Sequence, residues 1–214
     1  MKVFLSGKVD EHHGKWRDLL LGEKYTDGKS APRWELHHKT DTFDDPFVPW
    51  PILRNAVMET HDYVGPYRQT ITPEPGNSNT GYFHGVESRG GHGKMDSDDQ
   101  QAIVAACMAG IDLCDMLFAY INTADCYGTL CEIGYARARN KFVAVVAAPM
   151  VEGIDDMWFA GLLSNFYFAP TREDLTEKET LERAFLEAAS HFSARKAKPA
   201  GSRVLERLVF SHGR

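Results

Sequence analysis

No apolar run in this 214-residue chain is long enough to cross a bilayer. The longest, Phe142 to Val151, has ten residues and contains Pro149. Met1 to Gly7 is too short for the core of a signal peptide. Basic charge is also scarce: 24 Lys and Arg against 30 Asp and Glu give a formal net charge of −6. A protein that coats a nucleic-acid polymer needs a basic footprint to displace counterions, so that class is excluded. Cysteine is sparse, with Cys107, Cys114, Cys126 and Cys131 confined to one stretch and none in C-x-x-C spacing. That pattern excludes the common zinc frameworks, and a domain of this size needs no disulfide staples. The four are expected to be reduced and mostly buried. No internal repeat is present. These absences leave a cytoplasmic globular protein for which no cofactor or metal is implied.

What is present alternates between strands and helices. Lys2 to Gly7 reads as a short strand, and Trp16, Leu19 and Leu20 follow at helical spacing. Trp34 to Leu36 and Tyr67 to Ile71 are candidate strands, separated by an irregular segment over Asp41 to Pro51. From Gln101 the pattern is regular. A helix over Gln101 to Ile111 leads to an apolar strand over Met116 to Ile121. A helix over Thr129 to Asn140 leads to a second apolar strand, Phe142 to Val146. Asp155 to Leu163 reads as helix, Phe166 to Phe168 as strand, and Thr171 to His191 as a long amphipathic helix. Near-continuous apolar strands between helices indicate a parallel sheet covered on both faces. The expected fold is a doubly wound α/β domain, flavodoxin-like or Rossmann-like, with a mainly parallel five-stranded sheet. It would span residues 1–193, with a glycine-rich insertion over about 72–100 and a basic C-terminal extension over 194–214.

The chemistry concentrates in Ala119 to Lys141, where an apolar strand ends in a polar loop and a helix begins around Gly128-Thr129. In open α/β sheets, ligands bind outside the carboxyl ends of strands, where this loop lies. Glu132 falls in the expected first turn of the helix, where the dipole favours a carboxylate. Thr129-x-x-Glu132 is equally a capping-box spacing, and the local pattern leaves both readings open. Gly134 costs about 1 kcal/mol against alanine in a helix, which suggests that something approaches closely there.

The run Asp125-Cys-Tyr-Gly128-Thr129-Leu-Cys-Glu132-Ile-Gly134-Tyr-Ala136, ending at Lys141, resembles the signature of the nucleoside 2-deoxyribosyltransferase family, which includes related nucleotide N-glycosidases. Met1 to Gly7 followed by Trp16-Arg17 is similar to that family's first strand and loop, and Asp115 to Ala119 to its strand before the catalytic loop. Trp158-Phe159-Ala160 fits weakly. The resemblance implies that Glu132 is a nucleophile that attacks the anomeric carbon of a (deoxy)ribose and displaces the base. The covalent glycosyl-enzyme would then be resolved by water or a second base. Asp125 would protonate or orient the departing base. Ser6, Gly7 and Lys8 would line the site from the first strand, with Lys8 able to favour a 5′-phosphate. Tyr127, Gly128 and Thr129 would bind substrate from the loop. The resemblance also implies a homodimer or higher homo-oligomer, with a free nucleobase as acceptor in a transferase.

The sequence departs from the family in places. The family usually places its loop acid six residues before the nucleophile; here Cys126 stands there, and Asp125 lies seven before Glu132. Lys8 occupies the place of a common proline, and Cys107 or Met108 falls near that of a helix acid found in transferases. A nucleotide-binding module without turnover, or an NAD-cleaving glycohydrolase, is the alternative reading. In the insertion, His84, Arg89 and His92 are candidates for contacting a base or phosphate. His37, His38, Asp41, Asp44 and Asp45 form a tempting cluster, but adjacent histidines on a strand point apart, which argues against a metal.

Overall fold

The computed structural model describes residues 1–8, 16–21, 50–51, 61–65, 69–70, 82–83, 97–148, 157–170, 175–197 and 210–211. Strand β1 (Lys2–Gly7) and helix α1 (Trp16–Leu21) open the chain. Four two-residue strands follow: β2 (Trp50–Pro51), β3 (Asp62–Tyr63), β4 (Gln69–Thr70) and β5 (Tyr82–Phe83). Next come α2 (Ser97–Leu113), β6 (Met116–Ile121), α3 (Tyr127–Ala138) and β7 (Phe142–Ala147). Helix α4 (Trp158–Leu163), β8 (Phe166–Phe168), α5 (Glu177–Ala197) and β9 (Phe210–Ser211) complete the order.

The main sheet has seven strands in the order β2-β3-β1-β6-β7-β8-β9. All pairings are parallel except β2 with β3. The five inner strands run second, first, third, fourth, fifth in chain order, the flavodoxin-like arrangement. This bears out the doubly wound expectation. Of the sheet's seven strands, β1, β6, β7 and β8 match expected strands, and the two-residue β2, β3 and β9 are additions that make seven where five were expected. Pro51 contradicts the irregular reading of Asp41 to Pro51: proline lacks an N–H, and an edge strand tolerates that. Gln69–Thr70 pairs with Tyr82–Phe83 in a separate antiparallel ribbon, outside the main sheet.

Every residue of β6 and β7 is buried, as strands covered on both faces require. Successive side chains alternate between two cores. On one face Val3, Leu5, Phe118 and Val146 meet Trp16 and Leu20 of α1 and Leu181, Ala184 and Phe185 of α5. On the other, Phe4, Leu117, Ala119 and Val145 meet Cys107 and Ile111 of α2, Ile133 and Ala136 of α3, and Ala160 of α4.

Helix boundaries differ from expectation for identifiable reasons. Helix α2 starts at Ser97, inside the span read as insertion, because the glycines end at Gly93. Helix α3 stops at Ala138 because Asn140 takes the left-handed conformation (φ 58°), with Asn140 and Lys141 N–H groups closing onto Arg137 and Ala136 carbonyls. Helix α5 begins at Glu177, not Thr171, where Thr176 and Glu179 form a capping box. The Thr176 N–H donates to Glu179 Oε2 (2.9 Å), and the Glu179 N–H returns to Thr176 Oγ1 (3.3 Å). It runs on to Ala197, beyond the expected end at His191. Trp34 to Leu36 lies outside the described residues. Among the described residues, no helix is long and apolar enough to cross a membrane.

Candidate active site

The strand order reverses between β1 and β6, and the crevice beyond their carboxyl ends is where open α/β sheets bind ligands. There Ser6 pairs with Ala119 and Gly7 with Tyr120. Strand β1 supplies Ser6, Gly7 and Lys8. The chain leaving β6 supplies Asn122 to Cys126 and then α3. A Cβ on Gly7 would lie 2.8 Å from the Trp16 ring and 2.9 Å from the Tyr120 carbonyl oxygen. Only glycine fits this close approach of β1 to its neighbours.

Glu132 is buried at 6% exposure, and the Ser6 hydroxyl donates to its Oε2. The carboxylate thus faces β1 across the crevice. Burial pushes its pKa above the ordinary glutamate value. The Ser6 hydrogen bond, the positive charge of Arg17 and a hydrogen bond with the Cys107 thiol pull it back. Burial, then the charge of Glu132, raises the Cys107 thiol, so that side chain stays protonated and donates.

Two expectations about this helix change. Helix α3 begins at Tyr127 with Cys126 as N-cap and no side-chain cap, so Thr129 belongs to the first turn and Glu132 to the second. The capping-box reading of Thr129-x-x-Glu132 is therefore overturned, because Thr129 is already helical. Glu132 also lies past the reach of the helix dipole, whose field falls off within the first turn. Specific donors from β1 and α2, with the charge on α1, take its place. A Cβ at Gly134 meets no described atom within 4 Å, so the expected close approach is not seen among the described residues.

Asp125 is exposed, and its carboxylate accepts from Lys8 Nζ at 2.6 Å and from the Thr123 hydroxyl. The Lys8 hydrogen bond, then the Thr123 one, holds its pKa below the ordinary aspartate value, so it is ionised at neutral pH. Cys126, in the position where the family keeps its acid, is buried and sits at the helix N-cap. The structure thus brings together Ser6 with Glu132 and Lys8 with Asp125. Tyr127 and Gly128 are exposed beside them, and Thr129 is buried. His84, Arg89 and His92 lie outside the described residues, as do His37, His38, Asp41, Asp44 and Asp45. Among the described residues, no group of His, Cys, Asp or Glu could hold a metal. Cys107, Cys114 and Cys126 are buried and Cys131 is exposed, all unpaired by disulfides.

Arg17 was missed as a site residue by reading the sequence. Its guanidinium donates to the Leu5, Gly7 and Lys8 carbonyls. Carbonyl partners leave no trace in a sequence, but a charged residue between Trp16 and Leu20 in an apolar-faced helix was a usable signal.

Comparison with known proteins agrees with the sequence resemblance. Residues 61–160 match the model of the family described as nucleoside 2-deoxyribosyltransferase. The match includes β6, the loop through Asp125, and α3 with Glu132. No curated protein matches the chain. Among solved structures, the Clostridium botulinum CMP N-glycosidase BcmB is 27% identical, covering 41% of this chain and 74% of that one, with a TM-score of 0.32.

Proposed function

We propose, from the match of residues 61–160 to the nucleoside 2-deoxyribosyltransferase family, that this protein breaks or exchanges the N-glycosidic bond of a (deoxy)nucleoside or nucleotide. The observation that carries the reading is the buried Glu132 carboxylate, held by the Ser6 hydroxyl beyond the ends of β1 and β6. In the first step a Glu132 oxygen bonds to the anomeric carbon, and the C1′–N bond breaks with its electron pair leaving on the base, which takes up a proton. In the second, water or another base attacks the same carbon and releases the carboxylate. With water the products are the sugar and a proton; with an acceptor base, a new nucleoside and the proton its ring nitrogen gives up, which balances the one taken by the departing base. This is the two-step logic of retaining glycosidases.

A buried carboxylate suits the first step. Burial strips its hydration, and the Ser6, Arg17 and Cys107 contacts support the ionised form that attacks. Asp125 is ionised by its own partners and therefore orients the departing base instead of protonating it. Gly7, Lys8, Tyr127, Gly128 and Thr129 are the further substrate-binding residues of this reading, and His84, Arg89 and His92 of the insertion are its candidates for contacting the base or phosphate. The catalytic unit in this reading is the domain expected over residues 1–193, together with the end of α5 and β9 that the sheet adds to it, acting as a cytoplasmic homo-oligomer on small molecules.

The test is mass spectrometry of mixed nucleosides and nucleoside monophosphates incubated with the protein, with and without an added free base. The parent is expected to release base, or to exchange it when acceptor is supplied. Glu132→Gln is expected to lose at least about 10³-fold in kcat with its circular dichroism unchanged. Retained turnover in that variant rejects Glu132 as the nucleophile. A parent that is stabilised by a nucleotide without consuming it is a binding module, and release of nicotinamide from NAD makes it a glycohydrolase.

A further inference from the structure

Arg17 is a charged side chain buried at 6% exposure, between Trp16 and Leu20 of the α1 core face. Burial of a guanidinium demands that its donors be satisfied. Here Nε donates to the Leu5 carbonyl at 3.0 Å, Nη2 to Gly7 at 2.8 Å and Nη1 to Lys8 at 2.9 Å. Its Cζ also lies 4.6 Å from the centroid of the Trp16 ring. Three backbone carbonyls at the end of one strand are thus gathered on one cation.

The same strand end carries both contacts of the site. Ser6 lies between two of the gripped carbonyls and donates to Glu132, while Lys8 carries the third and pairs with Asp125. We propose that Arg17 is the positioning residue of the site: it fixes the end of β1 so that Ser6 and Lys8 meet their carboxylates, and supplies a buried positive charge that acts on Glu132. This inference rests on Glu132 being the reactive carboxylate and deepens that reading.

A purely mechanical clamp would hold the carbonyls without acting on Glu132. Arg17 does both, because its charge is second only to the Ser6 hydrogen bond among the influences that lower the Glu132 pKa. Among the described residues, the groups acting on Glu132 are Ser6 from β1, Arg17 from α1 and Cys107 from α2. Cys107 stays protonated, and Ser6 is neutral throughout. Both Arg17→Lys and Arg17→Gln loosen the grip on β1, so the difference between them reads the charge. Lysine keeps the charge and loses the three-pronged grip; glutamine loses the charge and keeps an amide donor.

The experiment compares the parent, Arg17→Gln and Arg17→Lys by infrared difference titration of the Glu132 carboxyl, assigned by the band that Glu132→Gln removes. Base release is followed in parallel across pH. In Arg17→Gln the carboxyl is expected to titrate at higher pH, with kcat/KM down about tenfold on the acid side and recovering as pH rises. In Arg17→Lys the charge stays but the strand end is no longer fixed, so the Ser6 hydrogen bond weakens: the titration is expected to rise less than in Arg17→Gln while kcat falls. An unmoved Glu132 titration in Arg17→Gln overturns the proposal. So does a loss of fold in both variants, which would make the residue purely structural. The infrared titration needs no turnover, so a parent that releases no base would reject the proposed activity and still leave the role of Arg17 readable.

Discussion

Lys8 Nζ stands 2.6 Å from Asp125 Oδ2, tying the end of β1 to the loop that precedes α3. The Lys8 side chain is 25% exposed and that of Asp125 58%, so solvent screens the attraction. Exposed pairs of this kind contribute roughly 0–1 kcal/mol. The contact matters for where the two residues stand more than for how stable the fold is.

Lys8→Met and Asp125→Asn are accordingly expected to cost less than about 1 kcal/mol each in urea unfolding. Their coupling in a double-mutant cycle should shrink in high salt. Asp125→Asn is expected to lower kcat/KM by about 10²-fold, because base orientation is lost. The sign with pH follows from the lowered pKa of Asp125. Its small stabilisation is present above the ordinary value of 3.8 and is lost as pH falls through the lower folded value. A stability loss comparable to that of a core substitution would show that the pair is a structural anchor.

Glu132 has the opposite sign. Its folded pKa is raised above the ordinary 4.5, with burial as the largest cause. The unfolded chain therefore ionises first, and stability falls as pH rises from 4.5 to the folded value. Glu132→Gln removes that charge and is expected to raise the melting temperature at pH 7 while leaving it unchanged at pH 4. Calorimetry at the two pH values checks this. A variant destabilised at both would mean that the carboxylate is a net support of the fold.

Two glycines are expected to answer alanine in opposite directions. At Gly7 the new methyl would press on the Trp16 ring and the Tyr120 carbonyl, so Gly7→Ala should cost roughly 1–3 kcal/mol. At Gly134 no described atom lies within 4 Å of the added carbon, and the residue is mid-helix. Gly134→Ala should therefore stabilise by about 0.5–1 kcal/mol. Chemical denaturation distinguishes them. A destabilised Gly134→Ala would reveal that a neighbour does press against that face.

The inner sheet was readable because Met116 to Ile121 and Phe142 to Val146 are apolar without alternation, and only a strand covered on both faces needs that. Glu132 was singled out for another reason: the run Asp125 to Ala136 resembles the family signature, whereas the local spacing alone left a capping box equally open. Helix starts were harder. Thr129-x-x-Glu132 and Thr176-x-x-Glu179 have the same spacing, yet only the second caps a helix. The difference lies in Cys126, which is buried at the N-cap so that α3 starts two residues before Thr129, and burial is a property of the packed chain. Arg17 was hidden for a related reason, since the Leu5, Gly7 and Lys8 carbonyls it binds belong to every residue type. Gly134 shows the converse error, a local cost read as a contact that the described structure does not contain.

The hydrogen bond from Ser6 to Glu132 joins residues 126 positions apart. Closing so long a segment of chain carries an entropic penalty that must be met before the contact repays it. Contacts of such range are characteristically slow to form. Local helices such as α3 and α5 can appear early, whereas Glu132 acquires its hydroxyl partner only after β1 has docked beside β6. Recovery of the proposed base release is therefore a stricter measure of correct folding than recovery of helical signal, and the lag between the two would time the arrival of the first strand.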